Sequence, residues 1–360
     1  MPSFEVDPDI SIARTISTDF YTDPGYFEIS KEKIFLNSWQ FIGSGELAAK
    51  KGSCYPFAFL SPFIEEPLLL SRDTKNELHC VSNVCTHRGN LLVKEACELS
   101  NIRCRYHGRI FELDGTFRTM PEFKEVKNFP TAEDDLHPVD LFQWGNLLFC
   151  SLRNSFTAQS FFSEMMHRVG WLPLEEFRYM PGLSKEYTVH AHWALYCENY
   201  LEGFHIPFVH AGLNAVLDFG NYTTELFTNS NLQLGIAKEG EPCFDLPTSS
   251  PDYGKNVAAY YFWVFPNMMF NFYPWGLSVN IVKPVSVDET KVSFLTYVWK
   301  DSLFDTGAGS DLNTVELEDE EVVEAVQKGV RSRFYNHGRY SVTREQGTHH
   351  FHRLIAQYMK

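Results

Sequence analysis

Two short stretches of the sequence each offer one cysteine and one histidine at close spacing. The first is Cys85-Thr-His87, and the second, after sixteen intervening residues, is Cys104-Arg-Tyr-His107. Two cysteines can bind one iron and two histidines the other, which is the ligand set of one type of 2Fe-2S cluster. Zinc sites with mixed ligands more often pair like residues within a loop, and unrelated polar core residues would not show this double spacing. The pattern therefore favours a 2Fe-2S cluster.

A later segment carries two further histidines, His205 and His210. If this segment is helical as far as Ile206, then Asn199, Glu202 and His205 recur at every third position and share one face. The proline after Ile206 ends the helix and lets the chain bring His210 round. Two neighbouring histidines are as often structural as metal-binding, so the pair needs a further ligand to predict a metal site.

That ligand is a carboxylate, because two histidines and one carboxylate on a triangular face bind iron and leave positions open for oxygen. The acidic run between residues 316 and 327 is the candidate. Valines recur with the period of a helix within this run and just after it, at Val322, Val323, Val326 and Val330. They predict the buried face of a helix that carries the acidic run. Asp319 lies three and four residues before the first two, so it is predicted to point inward, with Glu318 as the second choice. The remaining acids are predicted to be solvated, at Glu320, Glu321 and Glu324.

The elements that position these residues differ along the chain. From about Trp39 to Leu152, short apolar runs separated by turn residues predict a small all-β domain whose loops carry the cluster ligands. Within it, the pair Asp114-Gly115 predicts a hairpin. Upstream, Asp23 and Pro24 predict the cap and first position of a helix that covers this β domain.

Further along, alternation predicts strands from Tyr187 to Trp193 and from Lys291 to Lys300. We interpret His190 and His192, on one face of the first strand, as structural. The intervening aromatic run predicts either ordinary core packing or a dry pocket for an aromatic ring or a quaternary ammonium group. The candidate pocket residues are Tyr261, Trp263, Phe265, Phe270 and Phe272. Near the C-terminus, apolar residues recur with the period of a helix, at Phe351, Leu354, Ile355 and Tyr358. This pattern predicts a packed helix, and we expect the histidines of the same segment to flank its packed face.

The composition excludes some partners. A net charge of -15 without a basic cluster argues against nucleic acid. There is no apolar stretch of about eighteen residues, and the acidic start is unlike a secretory signal, so we expect a cytoplasmic protein without a membrane partner. The cysteines outside the two loops show no disulfide framework and are expected to be free thiols, at Cys54, Cys80, Cys97, Cys150, Cys197 and Cys243.

The two cysteine-histidine loops, followed by Glu202-x-x-His205-x-x-x-x-His210 and then Asp319, resemble the catalytic alpha subunit of Rieske non-heme iron oxygenases. The resemblance implies that the two histidines and the aspartate bind a mononuclear Fe(II). It makes Glu202 and Asn199 the candidate catalytic residues, and the acid at Glu202 is more often Asp in that family. The resemblance begins at about Trp39 and continues to the C-terminus.

The sequence pattern and this resemblance together predict an α+β fold in three parts. Residues 1–38 form an N-terminal helical cover, and residues 39–155 form an all-β Rieske 2Fe-2S domain. Residues 156–360 form a catalytic helix-grip domain, in which an antiparallel sheet wraps around helices.

The cluster loops also show which Rieske proteins the chain resembles. Rieske proteins of respiratory complexes carry an extra cysteine in each loop, where this chain has Asn90 and Tyr106. The loops are therefore similar to those of Rieske oxygenases and their ferredoxins. That family usually has Cys-Pro-x-His-Gly-Trp in the second loop, so Arg105 and Arg109 are departures.

By this resemblance, O2 is the co-substrate, and the cluster delivers electrons one at a time to the mononuclear iron. There is no Gly-x-Gly-x-x-Gly motif, so NAD(P)H is expected to act through a separate flavin and iron-sulfur reductase or a ferredoxin. In the family, the cluster of one subunit faces the iron of its neighbour in a ring of three. A homotrimer is therefore expected, with Glu202 linking the two sites.

We expect hydroxylation or N-demethylation of a small organic substrate. The segment from Gly338 to Leu354 resembles the tail of choline monooxygenases, which favours a quaternary ammonium substrate. Ring hydroxylation of an aromatic compound by a dioxygenase is the alternative. Two further alternatives are an electron carrier that uses the Rieske cluster alone and a non-catalytic scaffold.

Overall fold

The computed structural model describes residues 4–153 and 156–360. The chain divides into two compact units, which are described separately. One is Trp39–Asn154, and the other combines Met1–Ser38 with Ser155–Lys360. Among the helices in the described ranges, none is long and apolar enough to cross a membrane. Both units contain antiparallel sheets and the second adds packed helices, which confirms the predicted α+β class.

The unit Trp39–Asn154 consists of three small antiparallel sheets with the strand orders β1-β10-β9, β4-β3-β2-β5 and β6-β7-β8. The strands are β1 Gln40–Ser44, β2 Ser53–Phe59, β3 Glu66–Arg72, β4 Leu78–Ser82, β5 Cys97–Glu98, β6 Ile102–Arg103, β7 Ile110–Phe111, β8 Phe117–Thr119, β9 Asp140–Trp144 and β10 Leu147–Ser151. Two 3-10 turns accompany them, at Gly45–Ala48 and Ala132–Asp134. The unit therefore has the predicted all-β character.

A tight hairpin and a buried cluster of side chains bring the two cysteine-histidine loops together in this unit. The predicted turn at Asp114-Gly115 joins β7 to β8, and Gly115 has φ +91, a backbone conformation that favours glycine. Cys85 and Cys104 belong to one buried apolar cluster with Phe111 and its neighbours. The core of the unit thus fixes the first residue of each loop.

The second unit combines helices with a larger sheet. Its helices are α1 Asp19–Thr22, α2 Pro24–Lys33, α3 Ala158–Phe161, α4 Ser163–Val169, α5 Trp193–Tyr200, α6 Ile206–Val209, α7 Ala211–Val216, α8 Leu312–Gly329 and α9 Gln346–Tyr358. Its strands are β11 Arg178–Tyr179, β12 Lys185–Val189, β13 Thr223–Leu226, β14 Ser230–Ile236, β15 Val257–Val264, β16 Met268–Tyr273, β17 Gly276–Ser286 and β18 Glu289–Val298. Short 3-10 turns lie at Phe35–Asn37, Leu174–Glu176, Phe219–Asn221, Asp301–Leu303 and Gly307–Gly309.

The sheet of this unit has eight antiparallel strands in the order β11-β18-β17-β16-β15-β14-β13, with β12 also pairing with β18. Helix α5 packs against α8, α9 and β17, and α9 also contacts β13. Every residue of β15 and β16 is buried. Both faces of these strands are therefore covered, which explains why their sequence shows a continuous apolar run rather than alternation.

Three sequence predictions about this unit change in the structure. Helix α2 begins with Pro24 behind an Asp23 cap, as predicted, but the segment is part of this unit, where Phe27 packs against the ring of His192 at 6.0 Å. The predicted strand from Tyr187 ends at Val189. His192 then caps α5, because its ring Nδ1 accepts a hydrogen bond from the backbone N–H of Ala194 at 3.3 Å. The two histidines therefore do not share a strand face.

Candidate active site and cluster-binding loops

Helix α8 carries the acidic run of the sequence, and its buried face differs from the predicted valine stripe. Val323 and Val330 are buried, as predicted, whereas Val326 is 43% exposed. The buried face is completed by two polar residues, Glu316 and Gln327. Asp319 lies three residues after Glu316 and four before Val323, so it shares that face. The inward direction of Asp319 agrees with the prediction, although the face that carries it is partly polar.

The two candidate histidines lie at the two ends of the one-turn helix α6. The predicted continuous helix through Ile206 is wrong, because α5 ends at Tyr200 and a short loop separates it from α6. In this loop Gly203 lies against the ring of Tyr222, where an added Cβ would approach a ring carbon to 2.7 Å. His205 precedes α6 and His210 follows it. A rigid turn opened by proline thus sets the spacing of the two imidazoles.

His205, His210 and Asp319 converge on one point. The Nε2 atoms of the two histidines lie 3.1 Å apart. The Oδ1 atom of Asp319 lies 3.0 Å from the Nε2 of His210 and 3.5 Å from that of His205. These three residues form a group whose donor atoms all lie within 4.8 Å of one another. The structure brings together all three residues that the sequence selected.

Each imidazole is oriented by a carboxylate at its other ring nitrogen. The Nδ1 of His205 lies 2.6 Å from Oε1 of Glu202, and the Nδ1 of His210 lies 2.7 Å from Oε2 of Glu318. When Nδ1–H donates to the carboxylate in the neutral ring, Nε2 carries a lone pair. Glu318, the second choice as a ligand, contacts the far side of His210.

A hydrogen bond from α5 also orients the carboxylate of the group. The Nδ2 of Asn199 donates to Oδ1 of Asp319 at 2.5 Å. Burial by itself disfavours the charged imidazolium, yet the hydrogen bonds and charges of Asp319 and Glu318 raise the pKa of His210 above its ordinary value. This pocket therefore favours positive charge at the place where the three residues meet.

The arrangement fits a bound iron. In the neutral tautomers set by Glu202 and Glu318, the two Nε2 lone pairs face each other at 3.1 Å, beside a carboxylate oxygen. Mutual repulsion of these donors is relieved by a cation between them. Two imidazoles and one carboxylate form the facial set that non-heme Fe(II) oxygenases use.

A cavity of about 110 Å³ opens beside this group. Tyrosines form much of its wall, at Tyr196, Tyr200, Tyr222, Tyr261 and Tyr273. The rings of Tyr261 and Tyr273 meet edge to face with centroids 5.9 Å apart. The other lining residues include Asn199, Glu202, His205, His210, Glu316 and Asp319. The cavity is thus aromatic on one side and carries the candidate metal-binding residues on the other.

Of the five predicted pocket residues, Tyr261 lines the cavity, and the other four lie outside it. Phe270 and Phe272 pair across the sheet with Phe262 and Tyr260, so they lie on the opposite face from Tyr261. Asn271 and Tyr273 are the cavity-lining residues of that strand. The remaining two predicted residues are Trp263 and Phe265. They lie further along the chain than Tyr261 and pack against Phe351 of α9.

Glu316 and four of the five cavity tyrosines were missed by the sequence prediction. Glu316 was counted only as part of an acidic run, although it lies three residues before Asp319 and therefore on the same helix face. Tyr196 lies three residues before Asn199 in the same way. Glu316 and Tyr196 could therefore have been found in the sequence, because each lies one helical turn from a predicted site residue. Tyr200 lies one turn after Tyr196 on the same helix, whereas Tyr222 and Tyr273 come from separate elements and carried no such signal.

In the other unit, the two cysteine-histidine loops share one backbone pattern. The N–H of Cys85 donates to the carbonyl of Asn90, and that of Cys104 donates to the carbonyl of Arg109. The N–H groups of the glycines four residues after each cysteine donate back to the cysteine carbonyls, and these glycines have φ +67 and +76. The loops thus form a matched pair, and each needs its glycine because few other residues adopt such angles.

The side chains of these loops fit a 2Fe-2S cluster. Cys85 and Cys104 are buried free thiols. The rings of His87 and His107 lie 4.8 Å apart between centroids. The Nδ1 of His107 is buried and has no hydrogen-bond partner among the described residues, so a ligand atom is left facing the loop interior. The Nδ2 of Asn90 lies 3.6 Å from the Sγ of Cys104.

Arg109, one of the two departures from the usual loop sequence, is only 2% exposed. Its guanidinium donates to the carboxylate of Asp134 at 2.7 Å and to the backbone carbonyl of the same residue at 2.9 Å. Aromatic rings surround the guanidinium at 4.8 to 5.6 Å, from Phe111, Phe117 and Phe129. Cation–π contacts and the ion pair therefore hold the buried charge. Arg105, the other departure, is exposed.

Two known protein families match separate parts of this chain. Residues 57–130 match the family model of the Rieske [2Fe-2S] domain. Residues 175–360, more than half of the chain, match the family model of the ring hydroxylating alpha subunit (catalytic domain). This chain belongs to that family of Rieske oxygenases. The resemblance inferred from the two motifs is confirmed, and so is the predicted enzyme class.

Curated relatives match over nearly the whole chain. The chloroplastic choline monooxygenase of Arabidopsis thaliana is 29% identical over 378 residues, covering 99% of this chain and 86% of the relative. The carnitine monooxygenase oxygenase subunit of Escherichia coli (strain K12) is 30% identical over 366 residues, covering 97% of this chain and 94% of the relative.

Solved structures share the fold. The quaternary ammonium Rieske monooxygenase CntA in complex with L-carnitine superposes with a TM-score of 0.76 at 24% identity, covering 99% of this chain and 100% of that one. Naphthalene 1,2-dioxygenase from Rhodococcus sp. superposes with a TM-score of 0.72 at 18% identity, covering 96% of this chain and 94% of that one. Membership of this family implies a 2Fe-2S cluster and a mononuclear iron, with O2 as co-substrate and NAD(P)H electrons delivered through a reductase.

Proposed function

We propose that this oxygenase is a monooxygenase that acts on a quaternary ammonium compound. The observation that carries the proposal is the cavity beside His205, His210 and Asp319, whose wall contains five tyrosines. Tyrosine faces attract cations, and several rings around one site can bind an ammonium group that carries methyl groups instead of hydrogen-bond donors. The choline and carnitine monooxygenases that match this chain support the same substrate class.

We assign His205, His210 and Asp319 as the iron ligands and Glu318 as the residue that orients His210. This assignment follows from the distances, because Asp319 lies beside both Nε2 atoms whereas Glu318 contacts the Nδ1 of His210. In the other unit, we assign the cluster to the buried thiols and the paired imidazoles of the matched loops, at Cys85, His87, Cys104 and His107. We likewise assign residues 39–155 to the Rieske domain and residues 156–360 to the catalytic domain.

In the proposed reaction, one oxygen atom enters a C–H bond of the substrate and the other leaves as water, with uptake of two electrons and two protons. When bound, the iron activates O2 and the cluster supplies the electrons one at a time. The tyrosine wall holds the ammonium group and excludes water. Glu202 fixes the ring of His205, and Asn199 fixes the carboxylate of Asp319. If the hydroxylated carbon is an N-methyl carbon, the N–C bond breaks with its electron pair going to nitrogen, which yields the demethylated tertiary amine, formaldehyde and a proton.

We further propose that the chain forms a ring of three subunits. Two aromatic side chains of the segment that follows Glu202 are exposed, Phe204 at 42% and Phe208 at 80%. Tyr106, whose ring lies over His107 with centroids 3.7 Å apart, is 59% exposed in the other unit. Exposed apolar residues beside both sites favour an interface there, in which Glu202 links His205 to a cluster-binding histidine of the neighbouring subunit. Light scattering of the purified protein should give the trimer mass, and a monomer mass would contradict the proposal.

The substrate class is tested by oxygen uptake with the cluster- and iron-loaded protein and a compatible reductase. We expect substrate-dependent uptake with choline, glycine betaine or carnitine, and a product that contains one added oxygen atom. Asp319→Ala serves as the control that removes an iron ligand. Uptake with naphthalene and not with the ammonium compounds would favour a ring dioxygenase. Cluster turnover without any substrate-dependent uptake would favour an electron carrier.

A further inference from the structure

Glu316 is a buried acid in the wall of the tyrosine cavity. It is 2% exposed, and it extends from the face of α8 that also carries Asp319. Its Oε2 accepts a hydrogen bond from the hydroxyl of Tyr196 at 2.5 Å. Its Oε1 is buried and has no hydrogen-bond partner among the described residues. One oxygen of this carboxyl group is therefore fixed, and the other is left without a donor.

Such an arrangement costs stability unless something compensates for it. A buried carboxylate that lacks a partner is costly, and an apolar residue of similar size at the same place would stabilise the fold more. Burial accordingly raises the pKa of Glu316 to about 8. Tyr196 is itself buried and can give only one hydrogen bond. Structure alone gives no reason for an acid at this position.

The other two acids of the cavity are already engaged. Glu202 accepts from the ring of His205, and Asp319 accepts from Asn199 and faces His210. Among the described acids that line the cavity, Glu316 is the one with a buried oxygen atom that has no hydrogen-bond partner. It is also the cavity acid whose position is fixed by a tyrosine of the same wall.

We propose that Glu316 is the anionic partner of the substrate's ammonium group and that it selects cationic over neutral substrates. The inference rests on the proposed function, because it assigns a residue to the recognition of that substrate class. A quaternary ammonium group cannot donate an N–H hydrogen bond, so its recognition requires opposite charge and aromatic faces. The tyrosines supply the faces. Glu316 supplies the charge, because a cation in the cavity lowers the raised pKa of this carboxyl group, which loses its proton when substrate binds. The carboxylate of Glu316 then gains a counter-charge in the cavity that it lines.

The proposal makes charge, and not shape, the origin of the selectivity. Choline and 3,3-dimethylbutan-1-ol have the same arrangement of heavy atoms, but the second has a carbon in place of the nitrogen and is neutral. In the low-dielectric cavity, a charge pair of this kind should give choline an advantage of at least about tenfold in affinity. Removing the charge of Glu316 should reduce that advantage by about tenfold and leave the part that the tyrosine faces supply, while the binding of the neutral compound stays nearly unchanged.

The experiment measures equilibrium binding of choline and 3,3-dimethylbutan-1-ol by calorimetry to the full chain loaded with cluster and iron. Glu316→Gln keeps the size and the contact with Tyr196 and removes the charge. Glu321→Gln is the matched control, because it removes the same charge from an exposed position of the same helix. We expect Glu316→Gln to weaken choline binding by about tenfold or more, and the control to bind as the unchanged protein does.

Equal choline affinity of Glu316→Gln and the unchanged protein overturns the proposal. So does an equal loss for both compounds, which would show a role in cavity shape. If Glu316→Gln does not fold, the unchanged protein still tests the proposal. Equal affinity of that protein for choline and 3,3-dimethylbutan-1-ol would exclude recognition by charge. Oxygen uptake with carnitine or betaine then reports separately on the proposed function. If neither of these compounds nor choline supports uptake or binding, the proposed function fails and the role of Glu316 fails with it.

Discussion

Acidification should destabilise the catalytic unit through His192, which caps helix α5. The residue is fully buried, and burial lowers its pKa from 6.5 to about 3. Its Nδ1 accepts the capping hydrogen bond from Ala194, and its Nε2 has no partner among the described residues. The rings of Phe20, Tyr21 and Trp193 lie around it. The folded protein therefore holds this imidazole neutral.

The magnitude follows from the two pKa values. Below pH 6.5 the unfolded chain binds a proton at His192 that the folded chain excludes, so the stability contributed at higher pH is lost as the pH falls from 6.5 towards 3. Each pH unit within this window costs about 1.4 kcal/mol. Between pH 7 and pH 5, His192 alone should therefore lower the free energy of unfolding by about 2 kcal/mol.

His192→Asn provides the comparison, because asparagine can still cap the helix but does not titrate. Urea unfolding of both proteins at pH 7, 6 and 5 at constant ionic strength, followed by tryptophan fluorescence, gives the two pH dependences. The variant loses packing at every pH. The quantity to compare is therefore the difference in free energy of unfolding between the two proteins at each pH. We expect that difference to shrink by about 2 kcal/mol towards pH 5. Parallel pH dependences would refute the assignment of a neutral, buried imidazole.

Four further substitutions test the two sites. Asp319→Ala should lose the mononuclear iron and keep the visible absorption of the cluster, and an unchanged iron content would show that another acid is the ligand. Glu202→Gln should retain both metals but slow oxidation of the reduced cluster in a single turnover, whereas full-speed oxidation would remove Glu202 from the path. Asn90→Leu removes the N–H near the Sγ of Cys104 and should lower the reduction potential of the cluster, measured by redox titration, with an unchanged potential as the contrary result. Arg109→Leu leaves Asp134 unpaired and should destabilise the Rieske unit by about 2 to 3 kcal/mol in urea unfolding followed by cluster absorption, which an unchanged midpoint would contradict.

Local spacing identified the ligand candidates, because ligands within a loop or on one helix face are neighbours in sequence. The loop of Cys85 and the pair His205 and His210 could be recognised in this way. Asp319 required the period of α8, and that period predicted the correct direction even though Val326 is exposed. The buried face contains Glu316 instead, and hydrophobic patterning cannot predict a buried acid.

The cavity wall could not be predicted from the sequence, since it depends on the registers of strands that are buried on both faces. In such strands nearly every position is apolar, with Asn271 as an exception in β16, so the sequence gives little indication of which residues face inward. Phe270 and Phe272 were therefore selected as candidate pocket residues, although they lie on the opposite face from Tyr261. The end of α5 at Tyr200 was missed as well, because it depends on how Gly203 packs against Tyr222, a contact between separate segments.

The buried pair of Arg109 and Asp134 has a consequence for variation among related proteins. Either residue alone would leave a charge in the apolar surroundings of Phe117 and Phe129, so a single exchange passes through a destabilised intermediate. The two positions are therefore expected to covary, and relatives with tryptophan at the first position should lack the acid at the second. A lineage that acquired this pair would tend to retain it, because reversal again requires two changes.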